Sequence, residues 1–328
     1  VGVEVGYQFR FERKRRDGTK LVFLTEGTLL RELGSNPELL GVDALILDEF
    51  HERHLQGDLA LAIAKRLQSG ARPDLRILVL SATLDPDPIE RFLPGSVRIE
   101  VEAPRFPVEI EYRPRESSGT LGLERSVRRA AESLLSRSDS DRFGDVLVFL
   151  PGMAEIRRSE AELRSEFGSE VEILPLHGEL SREDQARAIA PAPAGKRKLI
   201  LSTNVAESSL TIPGVGSVID SGLARIASHS HSSGLPRLET KPISRASAIQ
   251  RAGRSGRTGP GRVVRLYSRG DFEGRPLHEV PEILRTDLAP VLLELSELGA
   301  FSAGSGFEFF ESPSAERIES GWNLLSDL

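Results

Sequence analysis

The octet ALILDEFH, residues Ala44–His51, joins a four-residue apolar run to two adjacent carboxylates. A run that short, apolar at every position, suits a strand buried on both faces, as in a parallel sheet. A helix-length stretch, LALAIAKRL at Leu59–Leu67, follows, and then a second apolar run at Arg76–Leu80. Strand, helix, strand in that order predicts an α/β unit with helices on both faces of the sheet. Upstream, Val1–Phe11 and Leu21–Leu24 read as strands and Thr28–Leu33 as helical; downstream, Val97–Val101 reads as a further buried strand.

The segment APRFP at Ala103–Pro107 breaks the pattern and reads as a linker. The alternation then restarts. Val108–Tyr112 alternates like a strand near a sheet edge, and a helix is expected over Glu124–Leu135. A polar loop, Ser136–Arg142, leads to strands at Val146–Leu150, Val171–Leu174, Lys198–Ser202 and Ser217–Ile219. Ala224–Ala227 and Arg237–Thr240 flank a Ser/His/Gly-rich tip, His229–Gly234, which predicts a β-hairpin. Ser244–Ile249 is helix-compatible and Arg262–Tyr267 is an apolar strand. A third segment opens near Pro276, with a helix at Thr286–Leu298 stopped by Gly299. The expected divisions are 1–103, 104–275 and 276–328.

The 328 residues are 39% hydrophobic and 28% charged, enough apolar content for two packed domains and against disorder of the bulk. Cysteine is absent, so disulfide scaffolds, thiolate zinc and thiol catalysis are excluded. No apolar run is long enough to span a membrane and no secretory signal opens the chain, so a cytoplasmic location without membrane contact is expected. The net charge of −6 argues against a generally basic surface but not against a local basic groove. Val1 in place of an initiator methionine, and a last apolar stretch at Trp322–Leu328, lead us to expect an internal piece of a longer protein.

Asp48 and Glu49 leave the end of a buried strand, where open α/β sheets place their ligands. One carboxylate there suits Mg²⁺ held partly through water, the other an attacking water; an exposed acidic loop would look the same. His51-Glu52-Arg53-His54 resembles a zinc motif, but its histidines are three apart rather than four and no third ligand group follows. Ser81-Ala82-Thr83 offers hydroxyls to the carboxylate loop, or simply caps a helix. In Gln250–Gly259 (QRAGRSGRTG) the arginines at 251, 254 and 257 recur every three residues, so a helical turn would gather their phosphate-matching forks. A flexible Gly/Arg loop or an RGG-like tail competes, but the rigid flanks disfavour both. Ser202–Ile212 and Thr25-Glu26-Gly27, each after a strand, suit an anion or a plain polar turn.

In this order and spacing the motifs resemble the DEAH/RHA group of superfamily 2 helicases over nearly the whole chain. Gly6–Phe11 resembles the strand after motif Ia, and Thr25–Gly27 with Leu29, Leu30 and Arg31 resembles motif Ib. Asp48–His51 is similar to motif II and Ser81–Thr83 to motif III. Val148–Gly152 resembles motif IV, Ser202–Ile212 motif V and Gln250–Arg257 motif VI. Phe50, the Pro151-Gly152 pair and the run Leu210–Val215 look most like the bacterial HrpB-type members. The chain departs from the group in holding no G-x-x-x-x-G-K-[ST] phosphate loop and no motif Ia, which the resemblance places upstream of Val1.

The resemblance implies two tandem RecA-like lobes with mainly parallel sheets, the first incomplete, followed by the start of a winged-helix domain. It implies ATP or another NTP bound between the lobes, with single-stranded or structured RNA, possibly DNA, across both; protein partners are unspecified. Asp48 would hold Mg²⁺ with Glu49, Glu49 would be the base, and His51 would couple the site to the second lobe. Gln250 would position water, and Arg254 and Arg257 would stabilise the transferring phosphoryl group. Ser209, Thr211, Asp220 and Arg251 would complete the nucleotide site, Ser81 and Thr83 the coupling. Thr25, Gly27, Arg31, Gly152, Thr203 and Asn204 would touch the nucleic-acid backbone. The rivals are a non-hydrolysing RNA-binding module on the same fold, disfavoured by intact motifs II and VI, and a DNA translocase of the superfamily, disfavoured by the hairpin and the winged-helix start.

Overall fold

Apolar runs such as VLVF and LILS need cover on both faces, and the second half of the chain supplies it with a six-stranded sheet. The computed structural model describes residues 3–9, 12–82, 85–101, 106–115, 120–135, 144–193, 196–207, 210–229, 236–301 and 306–327. They divide into two compact units, one of residues 100–228 with 236–279, the other of 1–99 with 280–328 and 229–235.

Numbered along the chain, the strands of the first unit are β1 (Val5–Phe9), β2 (Glu12–Lys14), β3 (Leu21–Leu24), β4 (Ala44–Leu47) and β5 (Arg76–Val79). Those of the second unit are β6 (Val108–Tyr112), β7 (Asp145–Phe149), β8 (Val171–Leu176), β9 (Arg197–Ser202), β10 (Val215–Asp220), β11 (Leu223–His229), β12 (Pro236–Pro242) and β13 (Gly261–Arg265).

In the second unit the sheet order is β6-β13-β10-β7-β9-β8, every neighbouring pair parallel. β6 is an edge strand, as its alternating pattern requires. Side chains alternate across the sheet. Val146 and Val148 of β7 face helices Thr120–Leu135 and Met153–Phe167 through Val127, Ala131, Leu134 and Ile156. Leu147 and Phe149 face the opposite layer, where Ala188 and Ala252 mark helices Arg182–Ile189 and Arg245–Gly253. β11 and β12 pair as a separate two-stranded sheet, the expected hairpin, whose tip lies outside the described residues.

The first unit holds a three-stranded sheet, β2-β1-β3, and the parallel pair β4-β5. Helix Leu55–Gln68 is buried at every position from Gly57 to Ala64, as an LALAIA run apolar on all sides requires. Around it pack Leu29, Leu30 and Leu33 of helix Glu26–Ser35 and, from the other end of the chain, Ile283, Leu288, Val291, Leu292 and Leu295. Residues 280–328 thus share the first unit's core. Among the described residues they form a short turn, Glu282–Leu284, and helices Ala289–Glu297 and Ala315–Ser326.

One strand expectation fails. Val97–Val101 joins no sheet, and Val97, Ile99 and Val101 are more than four-fifths exposed. Alternating apolar residues make a strand only where a neighbour takes the backbone hydrogen bonds, and no described strand lies alongside. The linker at Ala103–Pro107 falls largely outside the described residues. No helix among those described is long and apolar enough to cross a membrane.

Candidate functional site

In the first unit the carboxylate pair leaves β4 into a tight turn. Leu80, just past β5, donates its N–H to the Leu47 carbonyl at 2.8 Å and accepts that of Phe50 at 3.1 Å, so two bonds tie the segment after β5 to the chain on either side of the acidic residues. Between these bonds the chain turns sharply. Glu49 (φ 50°) and Arg53 (φ 51°) are both left-handed and bracket the 3₁₀ turn Phe50–Glu52. Neither is glycine, so each costs about 1–3 kcal/mol that the surroundings must offset.

Asp48 is exposed; its Oδ1 accepts the Glu49 N–H at 2.9 Å. His51 is tucked in: Nδ1 accepts the Ala82 N–H at 3.4 Å and Nε2 lies 3.5 Å from Glu49 Oε2. An accepting Nδ1 leaves the ring proton on Nε2, facing the carboxylate. Motif II and the Ser81–Ala82 segment therefore meet through His51. Ser81 is exposed, and Thr83 lies outside the described residues.

The end of the turn is dense in charge. Arg53 forks onto buried Asp58 at 3.0 Å through both nitrogens. His54 lies 2.6 Å from Glu52 and 3.7 Å from Glu282. Its hydrogen bonds to Glu282 and Glu52 raise it to about 10, and the His54 bond lowers Glu282 to about 2. Burial raises Asp58 against the pull of Arg53, and burial also raises Glu26. No group of three or more His, Cys, Asp or Glu among the described residues could hold a metal.

Thr25 and Arg31 come together at the start of helix Glu26–Ser35. Thr25 Oγ1 lies 2.8 Å from Thr28 Oγ1, and Arg31 donates to the Gly27 carbonyl at 3.1 Å and to Thr28 Oγ1 at 3.4 Å. Thr28 is the member the sequence reading omitted; its i, i+3 spacing from both was the available signal.

In the second unit the arginines do not share one face. Arg251 is fully buried. It reaches Glu207 Oε2 at 2.8 Å and Asp220 Oδ1 at 2.9 Å and lies over the Phe149 ring. Burial alone would lower its pKa, but Glu207 and Asp220 hold it above the ordinary value. Asp220 also accepts the Tyr267 hydroxyl at 2.7 Å and the Gly222 N–H at 2.9 Å. Burial and this carboxylate raise the Tyr267 phenol. Asp220 and Arg251 are thus spent on each other inside the lobe, whereas the expectation put both on the nucleotide.

Arg254 is buried too, donating to the carbonyls of Leu210 and Glu207. Arg257 is exposed and donates to Thr211 Oγ1. Gln250 is half-buried on helix Arg245–Gly253. Glu207 is the hub that sequence reasoning missed. It takes Ser247 and Arg251 on its carboxylate and Arg254 on its carbonyl, tying motif V to motif VI. Ser209 lies outside the described residues.

Gly152, Thr203 and Asn204 all lie at the carboxyl ends of parallel strands, just past β7 and β9. Gly152 is buried under Arg225: a Cβ there would meet the guanidinium carbon at 2.8 Å. The side chain presented at that point is therefore Arg225, two-fifths exposed and 3.7 Å from Glu155. No local sequence signal marked it. Thr203 is half-buried and Asn204 exposed.

A parallel sheet with this arginine segment in one unit, and a strand pair ending in DEFH in the other, are features of a helicase-type α/β protein. Residues 127–259 match the family described as Helicase conserved C-terminal domain. The chain is similar over its whole length to helicases of the DEAH/RHA group. Over 327 residues it is 44% identical to the ATP-dependent RNA helicase HrpB of Escherichia coli (strain K12), a match covering all of this chain and 40% of that protein. To the same organism's ATP-dependent RNA helicase HrpA it is 40% identical, covering 99% of this chain and 24% of HrpA. The crystal structure of the Escherichia coli DEAH/RHA helicase HrpB superposes with a TM-score of 0.88 at 40% identity, over 99% of this chain and 41% of that one. The chain thus spans about two fifths of the length of HrpB and a quarter of HrpA.

Proposed function

We propose that this chain is the motor core of an ATP-dependent RNA helicase. The observation that carries the reading is the Asp48–His51 turn. It sits at the carboxyl end of a parallel strand pair, with an exposed aspartate, a strained glutamate and a histidine bridging Glu49 to the Ser81–Ala82 segment. Asp48 fits Mg²⁺, an ion that keeps most of its waters and needs few protein carboxylates; bound there, it would neutralise charge on the phosphates. Glu49 accepts a proton from the attacking water. His51, with Nε2–H toward Glu49, keeps that carboxylate aimed and couples its position to the Ser81–Ala82 segment. Arg257, exposed four residues past the end of helix Arg245–Gly253, stabilises the transferring phosphoryl group, and Gln250 orients water. Arg251 and Arg254 act indirectly, by fixing motif VI to motif V through Glu207.

RNA contacts the Thr25–Thr28–Arg31 cluster in one unit and the Gly152–Arg225 and Thr203–Asn204 segments in the other. Such contacts are to the sugar-phosphate backbone and carry no sequence. The test is Glu49→Gln in the protein that carries this chain. RNA-stimulated phosphate release should vanish while ATP still binds, and duplex RNA should no longer be unwound. Near-normal turnover would remove Glu49 from the base role. Equal stimulation by DNA would move the substrate reading to nucleic acid in general.

A further inference from the structure

The turn that carries Glu49 is held from outside its own motif. The left-handed residues at its two ends, Glu49 and Arg53, are linked through the turn itself. Glu52 donates to the Glu49 carbonyl at 2.9 Å, and Arg53 to the Phe50 carbonyl at 3.2 Å. A rotation at Arg53 is therefore passed through two hydrogen bonds to the backbone of Glu49. Non-glycine residues in this conformation persist only where neighbours over-determine them.

At Arg53 those neighbours come from the end of the chain. Glu282 donates its backbone N–H to the Arg53 carbonyl at 3.1 Å, and its carboxylate accepts the Leu55 N–H at 2.9 Å. One residue thus grips the backbone on both sides of His54. Phe310 meets the Phe50 ring edge-on at 5.3 Å between centroids and lies under the Arg53 guanidinium at 4.6 Å. Glu311 adds a 3.4 Å ion pair to the same guanidinium. Backbone, ring and charge thus converge on one residue four positions beyond the carboxylate.

We propose that Glu282 and Phe310 are positioning residues for Glu49: they clamp the turn at Arg53, so the segment that supplies them sets the aim of the carboxylate. The proposal rests on the reading of Glu49 as the base. It gives residues 280–311 a direct hold on the hydrolytic turn, by which any partner that displaces this segment would slow hydrolysis without touching the nucleotide.

The test compares Glu282→Ala, Glu282→Gln and Phe310→Leu with the parent and with Glu49→Gln, all in the full protein. Two readouts are taken: amide hydrogen exchange over residues 49–55, and steady-state ATP turnover with single-stranded RNA. In Glu282→Ala and Phe310→Leu, exchange of the turn should rise. Turnover should fall by about tenfold to 100-fold, the effect of misplacing a catalytic group by a fraction of an ångström to an ångström. KM for ATP should stay near the parent value, because the loss is in aim rather than in binding. Glu282→Gln keeps an acceptor for Leu55 and should recover most of the turnover. Should Glu282→Ala fail to fold, Phe310→Leu and Glu282→Gln carry the same comparison.

Unchanged exchange in the turn would overturn the clamp. Raised exchange with unchanged turnover, while Glu49→Gln is inactive, would overturn the positioning role. If Glu49→Gln itself kept full turnover, the base reading would fall instead, and the proposed aim of Glu49 with it, while exchange would still report whether the clamp exists.

Discussion

Replacing Arg251 with methionine removes the one cation between two carboxylates while keeping most of the side-chain volume. In the parent, Arg251 reaches Glu207 at 2.8 Å and Asp220 at 2.9 Å, and no part of the residue is exposed. Breaking a buried ion pair from one side costs about 3–5 kcal/mol, because the partner charge stays behind. Asp220 keeps the Tyr267 hydroxyl and the Gly222 N–H, and Glu207 keeps Ser247. Those bonds place the expected loss near the lower figure, about 3 kcal/mol. For a unit of this size each kcal/mol lowers the melting temperature by about 2–4 °C, which gives a drop of roughly 6–12 °C. Differential scanning calorimetry on the parent and the variant measures it. Arg257→Met is the control: it is exposed, so its stability should stay within about 0.5 kcal/mol of the parent while its ATP turnover collapses. An Arg251→Met protein that melts with the parent would refute the buried-triad account and return Arg251 to the nucleotide.

His54 should titrate near 10 by NMR and drop toward its ordinary 6.5 in Glu282→Gln, because the Glu282 hydrogen bond is the largest cause of its shift. Its folded value is raised, so its contribution to stability is complete below 6.5 and is lost as pH climbs toward 10. Glu282, lowered from 4.5 to about 2, runs the other way: its contribution holds above 4.5 and is lost as pH falls toward 2. A His54 midpoint unmoved by Glu282→Gln would contradict that assignment. Gly222→Ala should destabilise the second unit by about 2 kcal/mol or more. The residue has φ +72°, and a Cβ would lie 2.4 Å from the Tyr267 ring; urea denaturation reads the effect, and an unchanged midpoint would contradict it.

Strands were legible from pattern: Asp145–Phe149, buried at every position, is apolar past its first residue, and the short apolar runs Leu21–Leu24 and Ala44–Leu47 and the alternating Val108–Tyr112 also fall where the pattern puts them. Val97–Val101 has the same composition but no neighbour, and composition does not report a neighbour. Motif order carried the resemblance to the DEAH/RHA helicases, since each short motif constrains little alone but their sequence constrains much. The division of labour among the arginines was not legible. Spacing by three suggests one shared face, yet helix Arg245–Gly253 ends before Arg254, and Arg251 and Arg257 end in opposite environments. Glu207, Arg225 and Glu282 were invisible for a related reason: each acts on residues distant in the chain, and a single sequence does not pair them.

The all-parallel sheet has a consequence for how this protein is made. β6 is at one end of the strand order, with β13 as its neighbour, and about 150 residues separate the two along the chain. At roughly 5–20 residues per second, a ribosome needs about 7–30 s after finishing Tyr112 to deliver Gly261. Within that interval β7, β9 and the far edge strand β8 are completed and can pair with one another, but Val108–Tyr112 has no backbone partner in its own sheet. The first strand of the second unit to be synthesised is thus among the last to be placed.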